Sequence, residues 1–222
     1  VLLSMGVPMG LQYSITAIGS VILQAAVNGL VAVTVAAVTA GSKISSFCVA
    51  VTDALGATMA TYCGQNVGAG KLDRVKEGVR VATIIGIIYA VLVFIFMIFI
   101  GGELPKLFVD ASKSDVIRQA RLFLLWNSGF YFALIFVNVW RNSIQGMGFP
   151  MFAILSGVCE MFARGIVGFV GVKYFGFVAA CMGSPLAWIV ADMFLIPGFM
   201  YCIRRLRKLF AKREPVETLK YE

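Results

Sequence analysis

The chain has 222 residues, of which 60% are hydrophobic and 14% are charged. A soluble domain has about 45–50% apolar and about 25% charged residues. The apolar excess here forms runs long enough to cross a bilayer, which takes about 20 residues of helix, so the composition argues against a soluble protein. The net charge of +8 does not indicate a nucleic-acid partner, because most Lys and Arg residues lie in loops and in the tail.

The residue types that many enzymes and metal sites need are missing. The chain has no His, and its five Cys residues lie within or at the ends of apolar segments without a Cys-x-x-Cys pair. We therefore expect no enzyme, no metal site and no cofactor, and we interpret the cysteines as small buried hydrophobes. The chain enters an apolar segment directly after Val1 without a basic leader, so we expect it to begin partway through a longer protein.

Six membrane helices are predicted, at 7–30, 35–62, 71–101, 115–145, 150–172 and 177–206. The expected fold is therefore all-α, a polytopic membrane helix bundle with a six-helix transmembrane lobe at 1–208 and a short tail at 209–222. The third helix is the least polar, and we expect it to face lipid. The interior prolines Pro185 and Pro197 are expected to kink the last helix.

The distribution of Lys and Arg predicts the orientation of the bundle. Most of these residues lie in the loop at 71–80, at Arg141 and in the tail. The opposite side has fewer: Lys106, Lys113, Arg118, Arg121 and Lys173. Cytoplasmic loops are enriched in Lys and Arg, so we expect a multi-pass protein of the cell membrane with its 64–80 hairpin and C-terminal tail in the cytoplasm.

Two of the predicted helices carry polar stripes. The first has a polar residue at every fourth position, at Gln12, Thr16, Ser20, Gln24 and Asn28. The fourth has Asn127, Tyr131, Asn138, Arg141, Asn142 and Gln145. Lipid penalises such rows, so we expect both stripes to line one solute cavity, with Gln12 to Asn28, Asn127, Tyr131 and Asn138 as the lining candidates. Hydrogen bonding between packed helices is the alternative.

Acidic residues inside the predicted helices are the candidates for cation or proton coupling. They are Asp53, Asp192 and Glu160. Asp53 is expected near the middle of the second helix, where it either exchanges a cation or forms a permanent pair with Lys43 or Arg164. Glu160 lies four residues before Arg164, a spacing that also favours a structural ion pair.

A Gly-rich segment joins the second and third helices and contains Gly64, Gln65, Asn66, Gly68 and Gly70. We expect Gly64, Gly68 and Gly70 to give the backbone freedom that the chain reversal needs. The block resembles the Gly-Gln-Asn-x-Gly-Ala-Gly signature of MATE (multidrug and toxic compound extrusion) transporters. The segments at 6–12, 40–44 and 141–148, and Ser156-Gly157 with Glu160 and Arg164, resemble further blocks of that family.

The resemblance implies that this chain forms half of a transporter fold. MATE proteins have twelve helices in two six-helix lobes, and this chain resembles the C-terminal lobe. It implies an antiporter that exports organic, often cationic, compounds in exchange for Na⁺ or H⁺ by alternating access. The implied partners are small-molecule substrates, the lipid bilayer and a missing N-terminal lobe, and the coupling ion takes the place of a cofactor.

The chain departs from some MATE branches because its first and fourth helices carry amides where those branches have acidic residues. Cation or proton coupling would then depend on Asp53 or on the missing N-terminal lobe. Two alternatives stay open at this stage. One is a lipid-linked precursor flippase of the wider superfamily, which needs an Arg-rich cavity. The other is a six-helix channel or structural membrane protein that works as a homodimer.

Overall fold

The computed structural model describes residues 2–211, with side chains from residue 6 onward, and no strand occurs in that part of the chain. Eight helices, a 3-10 turn and a π-helical turn follow in order: α1 Leu2–Val27, α2 Ala32–Gly68, α3 Leu72–Ile100, the 3-10 turn Leu104–Leu107, α4 Ser114–Gly129, α5 Tyr131–Gly146, α6 Pro150–Ile166, the π turn Val167–Gly171, α7 Val172–Phe175 and α8 Phe177–Ala211. Five spans are long and apolar enough to cross a membrane, and the bent pair α4–α5 raises the number to six. The predicted all-α membrane bundle is confirmed.

The fourth predicted helix is not continuous. A bend of 48° separates α4 from α5. Phe130 lies at the break with φ −103° and ψ 10°, and its N–H bonds the Asn127 carbonyl three residues back. The preceding Gly129 is a poor helix former, which weakens the helix at this point. The segment predicted as one helix over 115–145 is therefore one bent span that consists of two helices.

The end of the second helix also differs from the prediction. α2 continues through Gly64, Gln65 and Asn66 to Gly68, so Gly64 and Gly68 do not form the reversal. Gly70 alone of the three glycines has a positive φ, of 72°, and it makes the turn into α3. A Cβ on Gly64 would lie 3.3 Å from the carbonyl oxygen of Gly146, so Gly64 instead permits close contact with α5.

The last two predicted helices are also extended or interrupted. The fifth passes from α6 through the π turn into α7, which ends at Phe175. The sixth, α8, runs to Ala211, so the predicted boundary between lobe and tail after residue 208 falls inside a helix. Residues 212–222 of the predicted tail lie outside the described part of the chain.

α5 lies at the centre of the bundle and packs against α2, α3, α6 and α8, while α1 packs mainly on α6. Close packing of α2 on α5 depends on glycine, because a Cβ on Gly146 would overlap the Ala60 carbonyl group. The outer face of α3 exposes a row of large apolar side chains that includes Ile84, Ile88 and Phe99. This exposure fits the lipid-facing role expected of α3.

One end of the bundle is defined by a contact between α8 and α3. Arg207 near the end of α8 forms an ion pair with Asp73 at the start of α3, with 3.2 Å between Nη2 and Oδ1. The Gly-rich hairpin and the basic end of α8 therefore lie at the same end. The break at Phe130 lies deeper in the bundle.

Candidate functional site

Asp53 lies on the exposed side of α2 and is held there by α5. Asn138 donates from Nδ2 to Asp53 Oδ1 at 2.9 Å and to Thr52 Oγ1 at 2.8 Å. Asn138 and Thr52 are buried, whereas Asp53 is exposed. Gly56 makes the approach possible, because a Cβ there would lie 2.6 Å from Asn142 Nδ2. The result is a carboxylate that is fixed at one oxygen and open on its other side.

A buried charge network lies between α5 and α6 and consists of Arg141, Glu160 and Arg164. Arg141 donates from Nη2 to Glu160 Oε1, and Arg164 Nη2 lies 3.2 Å from Glu160 Oε2. Arg141 also donates from Nε to Ser156 Oγ at 3.0 Å. The structure thus brings Glu160 and Arg164 together, as their spacing predicted, and adds a second arginine that the prediction missed.

Arg141 is the clearest correction to the sequence interpretation. It was counted with the loop cations that set the orientation, but it is 5% exposed and lies in the interior of α5. The signal that could have revealed it is its place in the polar stripe of the fourth helix, three residues after Asn138. A buried arginine of this kind needs a carboxylate partner, and Glu160 supplies it.

The buried charge network also reaches α1. Arg164 donates from Nη1 to the Thr16 carbonyl oxygen at 3.3 Å, and the Ser20 hydroxyl donates to the same carbonyl at 3.2 Å. Asp192 lies on α8. Its Oδ1 is buried and has no hydrogen-bond partner among the described residues. Three helices are thus linked through Glu160, whereas Asp192 is a second carboxylate that lacks a full set of partners among the described residues.

Ser20 and Gln24 line a cavity of about 400 Å³ between α1, α2, α4 and α8. Ser42, Phe123 and Ser184 complete its polar and aromatic wall, and the rest of the lining is apolar. We call this space the four-helix cavity. It lies toward the end of the bundle that is opposite the Gly-rich hairpin, since α1 ends and α2 begins beside it.

The other predicted lining residues lie elsewhere in this chain. Gln12 and Thr16 are next to Gly157 of α6, and Asn28 accepts a hydrogen bond from Gln24. Tyr131 is buried against Trp188, with 6.0 Å between ring centroids. Asn127 and Asn138 are buried between helices, where they make hydrogen bonds. A cavity shared by both stripes stays a prediction.

The Gly-rich hairpin is held by main-chain and side-chain contacts. Asn66 donates from Nδ2 to the Tyr62 carbonyl at 2.8 Å, and the Lys71 N–H donates to the Asn66 carbonyl, also at 2.8 Å. The Tyr62 hydroxyl donates to the Arg74 carbonyl at 3.2 Å across the turn. These contacts of the motif therefore fix the angle between α2 and α3. Within the described residues, no group of three His, Cys, Asp or Glu side chains is arranged to hold a metal ion.

Comparison with known proteins gives the family. The MatE family model matches residues 8–170, which is most of the chain. The chain belongs to the MATE family. A curated relative of this MATE chain, named FAD transporter, comes from Shewanella oneidensis and is 22% identical over 154 residues, which cover 69% of this chain and 34% of that protein. The resemblance seen in the sequence motifs is confirmed.

Solved structures share the fold of this MATE chain. A MOP superfamily transporter from Pyrococcus furiosus, described as having a binding pocket of reverse polarity, matches with a TM-score of 0.79 at 20% identity. An outward-facing multidrug resistance MATE transporter matches with a TM-score of 0.78 at 19% identity. Each match covers 96% of this chain and 45% of the solved chain. The chain therefore spans less than half the length of these transporters and about a third of the curated relative.

Proposed function

We propose that the protein containing this chain is a cation-coupled antiporter that exports organic, often cationic, compounds in exchange for Na⁺ or H⁺ by alternating access. The observation that carries the proposal is Asp53, an exposed carboxylate within a membrane-spanning helix, held by Asn138. No ion pair of Asp53 occurs within the described residues. Lipid would penalise this carboxylate by several kcal/mol, so its open side needs water, a cation or the other lobe.

The three candidate coupling acids differ in their surroundings. Glu160 is occupied by Arg141 and Arg164, which supports a structural role. Asp53 has an open side and is the leading coupling candidate. Asp192, with a buried oxygen that lacks a partner among the described residues, is the second candidate. A carboxylate that changes its occupant during transport must lack a permanent cationic partner, and only Asp53 and Asp192 meet that condition here.

The orientation is part of the same proposal. The basic residues of the hairpin and of the end of α8 lie at one end of the bundle, which supports placing that end in the cytoplasm of the cell membrane. The four-helix cavity then lies in the outer half of the membrane. The missing N-terminal lobe would cover the open face of α2 and would complete the path.

Three alternatives to this proposal differ in their support. The similarity to the FAD transporter of Shewanella oneidensis favours flavin nucleotides as a second substrate class for the same export activity. A flippase for lipid-linked precursors receives less support, because Glu160 already engages the two deep arginines. A six-helix homodimeric channel is excluded if the native reading frame contains an upstream six-helix segment.

The experiment is ion-driven efflux of ethidium from a pump-deficient host that expresses the full protein from its native reading frame. Asp53→Asn removes the charge but keeps the shape, and we expect it to abolish ion-driven efflux. Asp115→Asn is the matched control, because Asp115 is exposed at the start of α4 and forms a surface pair with Arg118, at 3.7 Å. Wild-type efflux in Asp53→Asn removes Asp53 from the mechanism, and no efflux of any solute by the wild type contradicts the proposed function.

A further inference from the structure

The four-helix cavity has an unusual wall for a transporter of cations. Its lining includes no charged side chain, and its polar members are three serines and one glutamine: Ser20, Ser42, Ser184 and Gln24. A cation that enters a low-dielectric cavity needs a negative partner, whereas hydroxyl and amide groups suit an uncharged hydrogen-bonding solute. The composition of the wall therefore indicates an uncharged solute with hydrogen-bonding groups.

Two of the hydroxyl groups are free to bind a solute. Ser20, Ser143 and Ser156 each donate to a carbonyl of their own helix, which is the usual arrangement for serine in a membrane helix. Ser42 and Ser184 make no such bond in the described part of the chain, although both line the cavity. Gln24 uses its Nε2 to donate to Asn28 Oδ1, and its Oε1 keeps its capacity to accept.

An aromatic ring is fixed beside these hydroxyls. Phe123 of α4 lies against Gly41 of α2, where a Cβ would come within 2.5 Å of the ring atom Cδ1. On the other side, Gly183 of α8 lies so close to Leu23 of α1 that a Cβ would come within 2.5 Å of Leu23 Cδ2. These glycine contacts hold the walls in place, and the Phe123 ring, which is 7% exposed, forms a rigid apolar part of the wall.

Two charged residues next to the cavity, Arg164 and Lys43, do not line it. Arg164 is connected to the wall through the Thr16 carbonyl that it shares with Ser20, but its guanidinium group pairs with Glu160. Lys43 follows Ser42 on α2, yet its Nζ lies 5.9 Å from the centre of the Phe108 ring and not in the lining. The cavity thus presents neither a free anion nor a free cation to a solute.

We propose that the four-helix cavity binds uncharged compounds that carry several hydrogen-bonding groups, with Ser42 and Ser184 as hydrogen-bond partners. This inference rests on the proposed export function and narrows its substrate class for this half of the path. Any cationic group of a substrate must then bind outside this cavity, near Asp53 or in the other lobe.

The test measures binding of two fluorescent tricyclic probes to the purified full protein. Riboflavin is uncharged at neutral pH and rich in hydrogen-bonding groups, and ethidium is a permanent cation of similar ring size. We expect Ser42→Ala and Ser184→Ala each to weaken riboflavin binding about fivefold, the usual loss for one hydrogen bond, and to leave ethidium binding unchanged. Ser184→Thr keeps a hydroxyl group and should bind riboflavin within about twofold of the wild type.

The control is Ser46→Ala, because the Ser46 hydroxyl already donates to the Lys43 carbonyl of its own helix at 2.7 Å and does not line the cavity. Unchanged thermal stability of each variant shows that the walls are intact. Riboflavin binding that is absent, or that is insensitive to both alanine variants, overturns the inference. An equal loss of ethidium binding also overturns it. If one of these results is found while ion-driven ethidium export persists, the inference fails and the proposed function is retained. If neither probe is exported, the proposed function is contradicted as well.

Discussion

Asn127 of α4 donates a hydrogen bond from its side-chain Nδ2 to the main-chain carbonyl oxygen of Cys181 in α8, at 3.4 Å. This carbonyl is open because the residue four positions later is Pro185, which has no N–H to donate. Membrane helices tolerate proline when a neighbouring helix satisfies the freed group. Asn127 thus satisfies a main-chain group of α8, and Ser184, next to this proline, lines the four-helix cavity.

The pairing of Asn127 with Cys181 predicts a non-additive double mutant. Asn127→Ala leaves the Cys181 carbonyl buried without a donor and should lower the stability by about 1–2 kcal/mol. In a Pro185→Ala background the helix regains its own N–H donor, so the same substitution should cost less. Thermal unfolding of the four proteins of this cycle measures the difference, and equal costs in both backgrounds would refute the pairing.

Glu160 should be one of the most sensitive positions in the bundle. Glu160→Gln leaves Arg141 and Arg164 buried without a counter-charge, and loss of one partner of a buried pair costs about 3–5 kcal/mol. Glu103→Gln is the control, because Glu103 pairs with Lys106 at the surface, where an ion pair contributes about 0–1 kcal/mol. Thermal stability of the purified proteins decides the matter: similar melting temperatures for the two variants would contradict the structural role.

Gly146 should not accept a methyl group. A Cβ there overlaps the Ala60 carbonyl group, so Gly146→Ala should push α2 away from α5 and lower the stability by about 1–3 kcal/mol. Gly165→Ala is the matched control, because Gly165 is also helical and has no neighbouring atom within 4 Å of its ideal Cβ. A melting temperature for Gly146→Ala equal to that of Gly165→Ala would show that the helices do not approach as described.

The sequence was sufficient for the spans and the family, because both depend on local signals. Apolar runs predicted each membrane-spanning helix, and the Gly-rich block at 64–70 indicated the family. The break at Phe130 was missed because it falls within an apolar segment where hydropathy does not change. Local patterns cannot show such a bend.

The polar contacts were harder to predict because they join distant segments. Arg141 meets Glu160 nineteen residues later, and Asn138 meets Asp53 across 85 residues. The stripe that holds both residues was expected to line a cavity, with hydrogen bonding between packed helices as the alternative. Only the packing of α5 between α2 and α6 separates these possibilities, and that packing depends on Gly56 and Gly146.

The central claim is that the face of α2 around Asp53 borders water and not lipid. Ala57 lies one turn from Asp53 and is exposed, and Ile88 on α3 is 56% exposed on the face expected to contact lipid. In the full protein with its native cysteines replaced, Ala57→Cys should react rapidly with a charged, membrane-impermeant thiol reagent, and Ile88→Cys should not. An Ala57→Cys protein as unreactive as Ile88→Cys would contradict the account.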